Sequence, residues 1–307
     1  MEHTPPEPVL ALAEDAARHH HLHPDRIHPL PAGEANHVLA LGEHLLLRVP
    51  RTPEHAHDLA KEAEILPLAH AAGLPVPHPI EHHTTPRPHM IQTRLPGHDL
   101  HGHHPTTRLL TELGHHLAHL HRLPTHTLTR TPHQDDTTRP HTLIRRLHHT
   151  GHLDPDTAHW LHTWYRHLET HLPPHPPETV LIHGDLTPAN LLTGHDGTLT
   201  GIVDWGDAAL ADPAVDFAKL PPHRLTPVLN GYLTTLDHED SDLTWRARIL
   251  HHQLTWALAR LKNPHPHPHP HPDARHWSAP PHSRLLGLLR LFATHPDPTW
   301  RALTPPG

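Results

Sequence analysis

Three oxygen-bearing side chains, Asp185, Asn190 and Asp204, stand in an order and spacing that suit phosphoryl transfer. They lie in the stretch "HGDLTPANLLTGHDGTLTGIVDWGDAALADPAVD", from His183 to Asp216. Asn190 follows Asp185 by five residues, and Asp204 follows Asn190 by fourteen, at the end of the apolar run in "GIVDW". Moving a phosphoryl group asks little covalent chemistry of a protein; it asks for positioning and charge neutralisation. Asp185, at the mouth of a strand, can accept a hydrogen bond from a substrate hydroxyl and take its proton late in the reaction. Such a base is worth about 10²–10⁴ in rate. The Asn190 carbonyl and the Asp204 carboxylate are hard oxygen donors that suit Mg²⁺, with nucleotide phosphates completing the shell. "HGD" or "VDW" alone arises by chance, but the ordered set is far less easily accidental.

Strands and turns must hold these groups. Val180–Ile182 reads as the strand feeding the motif, and a short apolar hairpin separates Asn190 from Asp204. Upstream, residues 8–20 read as a helix, followed by strands at His37–Leu41 and His44–Val49. A helix is expected from Pro53 to Leu66 with a stripe of Leu59, Ala63 and Leu66; Pro67 should end or kink it, with at most one further turn before Gly73. Met90-Ile91 reads as a strand running into a Pro-Gly break, taken as the hinge between two lobes. The rest is helical. Leu109 to Leu120 keeps a helical period, residues 124–141 read as loop, and Asp154-Pro155 opens a helix whose Trp160, Trp164 and Tyr165 face a core rather than a substrate. Further helices are expected near 222–236, 242–262 and 283–294, the last with a stripe of Leu285, Leu286, Leu288, Leu289 and Leu291. Between them the His-Pro alternation from Pro264 to Pro272 forbids helix and sheet and reads as an extended, compositionally biased insert rather than a metal site.

The bulk numbers exclude several classes. The chain has 307 residues, enough for two domains or one of two lobes, but only 35% are hydrophobic and 4% aromatic. Histidine (47) and proline (40) fill the gap, so no single His argues for a metal or catalytic site. Net charge is −8 with His neutral, and no basic stripe marks a nucleic-acid binder. The absence of cysteine removes disulfides and thiol chemistry. The N-terminus lacks a signal-peptide pattern and no apolar run reaches a membrane span, so a cytoplasmic protein with no obligate protein partner is the expectation.

The segments "LLLRVPR", "LIHGDLTPANLL" and "GIVDWGDAALADPAVDFA" together resemble the aminoglycoside phosphotransferase and antibiotic-kinase family, over most of residues 25–220. That resemblance implies the bilobal α+β fold of protein kinases. A small antiparallel-sheet lobe would span residues 1–94, and a larger, mainly helical lobe residues 95–307. It implies transfer of the γ-phosphate of ATP or GTP, with Mg²⁺, to a hydroxyl of a small molecule, most readily an aminoglycoside or other antibiotic. By the same resemblance Asp185 is the catalytic base, Asn190 and Asp204 are metal ligands, and His183 buttresses the loop. Asp212 and Asp216 would be mainly structural, capping the following helix. Arg48 stands where kinases usually carry a nucleotide-clamping lysine, with Glu62, or else Glu64, as its partner. Only Gly33 represents a phosphate-covering glycine loop, and the adenine would meet backbone groups around Gln92, Thr93 and Arg94. Because "DPAVD" follows Asp204 almost at once, no activation segment is left to dock a peptide, and the acceptor should be small. Two rivals remain at this point. One is a metabolic kinase for choline, homoserine or a ketosamine-type sugar; the other is a catalytically silent nucleotide-binding or metal-buffering protein. The acidic run Asp237 to Asp242 could attract a cationic acceptor or serve as an exposed helix-capping loop.

Overall fold

The computed structural model describes residues 5–31, 35–100, 104–134, 139–175, 177–236, 241–261, 281–294 and 298–305. Gly33, the His-Pro tract and residues 237–240 of the acidic run lie outside these. The chain opens with helix α1 (Glu7–His19) and strands β1 (Ile27–Pro29), β2 (Asn36–Leu41) and β3 (Leu45–Pro50). Helix α2 (Pro53–Ala71) and strands β4 (Pro79–His83) and β5 (His89–Thr93) complete the first lobe. The strands form one antiparallel sheet in the order β1-β2-β3-β5-β4. The two-residue period of β3 sorts its side chains. Leu47 and Val49 join Val9, Ala13 and Ala16 of α1 in a small core. Arg48, between them, points to the other face, toward α2.

Helix α2 departs from expectation. It is capped by Thr52, which accepts from His55 N, and runs through Pro67 without ending there. A proline inside a helix costs about 3 kcal/mol. Leu59, Ile65, Leu66 and Ala69, on both sides of Pro67, are at most 1% exposed, and their burial outweighs that cost. Pro67 itself faces solvent.

Beyond β5 the chain makes β6 (His98–Asp99), α3 (Thr107–Leu120), α4 (Pro140–His149), α5 (Pro155–Glu169), β7 (Val180–Ile182), β8 (Leu191–Thr193), β9 (Leu199–Ile202) and β10 (Ala209–Ala211). Helices α6 (Ala214–Ala218), α7 (Leu225–Leu236), α8 (Asp242–Ala259) and α9 (Pro281–Ala293) follow. Strand β6 pairs with β8, not with the first sheet, and β8 pairs with β9. Strand β7 pairs antiparallel with β10, so the residues after β7 and before β10 are held side by side. Helix α4 was not expected; it buries Leu143, Ile144 and Leu147. The second lobe has the larger core. Trp164, Trp205, Trp245, Trp300, Phe217 and Tyr232 are each at most 2% exposed within it. Of the α5 aromatics, Trp164 and Tyr165 are therefore core, whereas Trp160 is only partly buried and packs against that core. In α9 the expected stripe is incomplete, because Leu286 is 61% exposed while Leu288 is buried. Among the described residues no helix is long and apolar enough to cross a membrane.

Candidate active site

The loop after β7 is held from below by a buried carboxylate. Asp216, on α6, accepts the backbone N–H groups of His183 (2.9 Å) and Gly184 (2.8 Å), and His121 Nε2 lies 3.2 Å away. Behind His121 stands the Tyr232 hydroxyl, 2.9 Å from Nδ1. Burial alone would push Asp216 up, but its hydrogen bond and attraction to His121, with His183 adding, hold its carboxyl below the usual range. Asp216 therefore does not cap a helix, as its position suggested; it clamps the loop. Asp212 does accept from Ala214 N (2.8 Å) at the start of α6, and it is also bound by Arg248 and His252. His183 is fully buried against Trp205; Nε2 lies 3.0 Å from Val203 O, and Nδ1 accepts from Asp185 N at 3.2 Å. Gly184 has φ +82, and a Cβ there would strike the carbonyl oxygen of Asp207. The backbone is thus forced into the turn that turns Asp185 outward.

Asp185 keeps a quarter of its side chain exposed. Asn190 Nδ2 donates both to Asp185 O (2.9 Å) and to Asp185 Oδ2 (3.0 Å), and Lys219 Nζ lies 3.9 Å from Oδ1. Burial pushes the Asp185 carboxyl up; Lys219 pulls it back, and Asp207 adds to the rise. With its nitrogen committed to Asp185, the Asn190 amide has its oxygen on the opposite side. Asp204 sits at φ +64, a left-handed conformation that aspartate tolerates better than most residues, and its side chain is 59% exposed. These donors, an amide oxygen and a carboxylate on adjoining turns, fit a Mg²⁺ that takes its remaining ligands from phosphate and water. Among the described residues no three His, Asp or Glu side chains gather into a protein-only metal cage.

Across the cleft, Arg48 on β3 makes a two-point pair with Glu62 on α2: Nη1 donates to Oε2, and Nη2 to Oε1 at 2.9 Å. Burial disfavours both charges, yet the Glu62 carboxylate at this distance holds Arg48 protonated above its ordinary value. Arg48 Nη2 also lies 3.8 Å from Asp204 Oδ1, so the two lobes meet here. Glu64 is turned elsewhere and accepts from Thr129 and Arg130. Lys61 adds a second tie by donating to Gly206 O. Gln92 is buried in β5. Thr93 N donates to His78 O and Arg94 N to His44 O, so neither N–H is left for a nucleotide base.

A cavity of about 530 Å³ opens beside Asp185. Its wall includes Gly184, Asp207, Lys219, Trp256 and Arg260, with Asp58 and Lys61 of α2 opposite. Sequence reasoning missed Lys219, Trp256 and Arg260. Only Lys219 left a signal, as one of three lysines in the chain, three residues past Asp216.

Known structures share this fold. Aminoglycoside 2′-phosphotransferase-IIIa in its GDP complex superposes with a TM-score of 0.61 at 22% identity, covering 76% of this chain and 84% of that one. Macrolide 2′-phosphotransferase MphH from Brachybacterium faecium gives 0.61 at 21% identity, over 97% of this chain and 99% of that chain. The streptomycin–ATP ternary complex of APH(2″)-IIa gives 0.59 at 15%, over 93% and 96%. At these identities the likeness shows a shared kinase-like fold. The uncharacterized protein YcbJ of Bacillus subtilis (strain 168) is 54% identical over 37 residues, which is only 12% of either chain's length. Residues 26–263 match the model of the phosphotransferase enzyme family (APH), and the chain belongs to that family.

Proposed function

We propose that this protein transfers the γ-phosphate of Mg-ATP or Mg-GTP to a hydroxyl of a small molecule. The observation that carries the reading is one cleft in which Asn190 fixes Asp185 at 3.0 Å while Arg48, paired with Glu62, reaches to 3.8 Å from Asp204. In this reading Asp185 accepts the hydroxyl proton, and its burial-raised basicity suits that task. Asn190 and Asp204 would hold Mg²⁺, which when bound neutralises charge on the phosphate oxygens. Arg48 orients phosphate from the sheet side. The base would stack near Gln92 and meet carbonyls of the Gln92–Arg94 stretch or groups beyond it. The lobe division at residues 94 and 95 is supported by β5 ending at Thr93 while β6 already pairs with β8. The names of the superposed relatives favour an antibiotic acceptor; a metabolic alcohol is the second reading.

The test is direct. Purified protein is offered Mg-ATP or Mg-GTP with aminoglycosides, macrolides, amino alcohols and sugar acids, and nucleotide consumption is followed. At least one compound should be phosphorylated by the wild type and not by Asp185→Ala. No turnover on any, with no nucleotide-induced thermal shift, would favour a silent protein.

A further inference from the structure

Asp204 is aimed through its backbone. Among the described residues its carboxylate has no hydrogen bond, and the one cation within ion-pair distance is Arg48, at 3.8 Å. Its φ of +64 is a conformation that a non-glycine residue keeps only where the surroundings fix it. Part of that fixing is local. Val203 N donates to Asn190 O at 2.9 Å, and the buried Trp205 donates from Nε1 to Ile202 O at 3.0 Å. Beyond Trp205 the chain turns against α2. A Cβ built on Gly206 would touch Asp204 Oδ1 (3.8 Å), Glu62 Oε1 (3.9 Å) and Asp58 Cβ (4.0 Å). There Lys61 Nζ donates to Gly206 O.

Lys61 is a costly residue for this place. It is buried, and an ammonium taken out of water needs strong compensation. Its acidic neighbour is Asp58, with Oδ1 at 3.5 Å, but that side chain is 39% exposed and water screens the pair. An apolar side chain of similar length would fill the space at no greater cost in stability. The bond to Gly206 O is what the ammonium adds. The helix that carries it is itself held firmly. Glu62, the next residue, grips Arg48 of β3. Glu64 accepts from Thr129 N (3.0 Å), Thr129 Oγ1 (2.6 Å) and Arg130 N (2.9 Å) of the second lobe. One turn of α2 thus reaches the sheet, the helical lobe and the turn after Asp204.

We propose that Lys61 is a positioning residue for the metal site: through Gly206 O it holds the turn that aims Asp204, so that α2 sets metal affinity without touching metal, nucleotide or acceptor. The inference deepens the phosphotransferase reading and rests on it. Groups that orient a metal ligand from behind typically change metal affinity by about 10–100-fold when removed.

Mn²⁺ serves as the probe, because free Mn²⁺ can be counted by electron paramagnetic resonance. Wild type, Lys61→Met and Lys61→Arg are titrated with Mn²⁺ in the presence of β,γ-imido-ATP, so no acceptor is needed. Hydrogen exchange of residues 203–209 is followed separately, without metal or nucleotide. Lys61→Met should weaken Mn²⁺ binding by about tenfold or more. Its amides in the turn should exchange about fivefold faster or more, as a local opening would make them. Its melting temperature should stay within about 3 °C of wild type. Lys61→Arg, which keeps a long cationic donor, should bind Mn²⁺ within about threefold of wild type. An unchanged Mn²⁺ affinity or unchanged exchange in Lys61→Met would overturn the proposal. So would a Lys61→Met that fails to fold, since Lys61 would then be a residue of stability, or a wild-type turn that exchanges as fast as a free peptide. Wild type that binds no Mn²⁺ with β,γ-imido-ATP would instead overturn the phosphotransferase reading beneath it.

Discussion

Asp185 and Arg48 make opposite demands on burial, and each yields a prediction. The Asp185 carboxyl is raised by desolvation above 3.8, the ordinary aspartate value, with Lys219 opposing the rise. A base must be ionised to act, so the acidic limb of the kcat/KM profile should lie above that value. Lys219→Met should move it further up, because a lowering charge is removed; a limb that stays in place would show that Lys219 does not sense Asp185. The folded state pays for a raised acid when it ionises, so this group adds stability below its folded pKa and loses it as pH climbs through that value. Asp185→Asn should therefore melt no lower than wild type at neutral pH. Arg48 is the reverse case. Glu62 is 2% exposed, and removing its partner leaves a buried, uncompensated charge. Arg48→Ala should lower the unfolding free energy by about 3–5 kcal/mol in chemical denaturation, and Arg48→Lys by less. A loss under about 1 kcal/mol would mean that water reaches the pair.

At the scale of elements, the loop that carries Asp185 is only as good as its supports. Helices α3 and α7 pack closely enough that a Cβ at Gly114 would strike Val228 O, and one at Gly231 would strike Thr111 O. Either Gly→Ala change forces backbone apart and should cost about 1–3 kcal/mol. The effect should reach Asp185, because His121 at the end of α3 and Tyr232 on α7 together support Asp216. Gly114→Ala should thus lower kcat as well as the melting temperature; full kcat in a destabilised variant would uncouple the helices from the loop. Much of this scaffold was legible in the sequence. Asp154 ahead of Pro155 announced α5, and Asp154 does accept from Thr157 N at 2.9 Å. The alternation around Arg48 announced β3. Helix α4 was hidden because its cap, Arg139, contributes no side-chain hydrogen bond and its surroundings are rich in Thr, Pro and His. Pro67 misled because a local cost was weighed without the burial on either side of it. The core motif could be read because Asp185, Asn190 and Asp204 are close in sequence. The acceptor wall could not, since Asp58, Lys219 and Arg260 come from three helices or their ends, separated along the chain.

For the whole molecule, the unusual composition matters more to stability than to chemistry. Few aromatics are available, and the fold places four of its seven tryptophans deep in one core. Histidine replaces much of the ordinary surface. His37, His82, His116 and His162 are held below 6.5, first by burial and then by nearby positive charge. Below about pH 6.5 the unfolded chain takes up protons that these sites resist, so stability present above that pH is lost as pH falls through it. The melting temperature at about pH 5.5 should lie below that at about pH 7.5 at equal salt. An unchanged value would place these imidazoles in contact with water. The central claim is that one aspartate on the loop after β7 drives phosphoryl transfer to a small-molecule hydroxyl. Its most direct test is a single-turnover comparison of wild type and Asp185→Asn, both loaded with Mg-ATP to the same measured occupancy and mixed with a common acceptor. The account predicts that ester formation slows by about 10²–10⁴ while nucleotide affinity holds; ester formed at the wild-type rate by Asp185→Asn would contradict it.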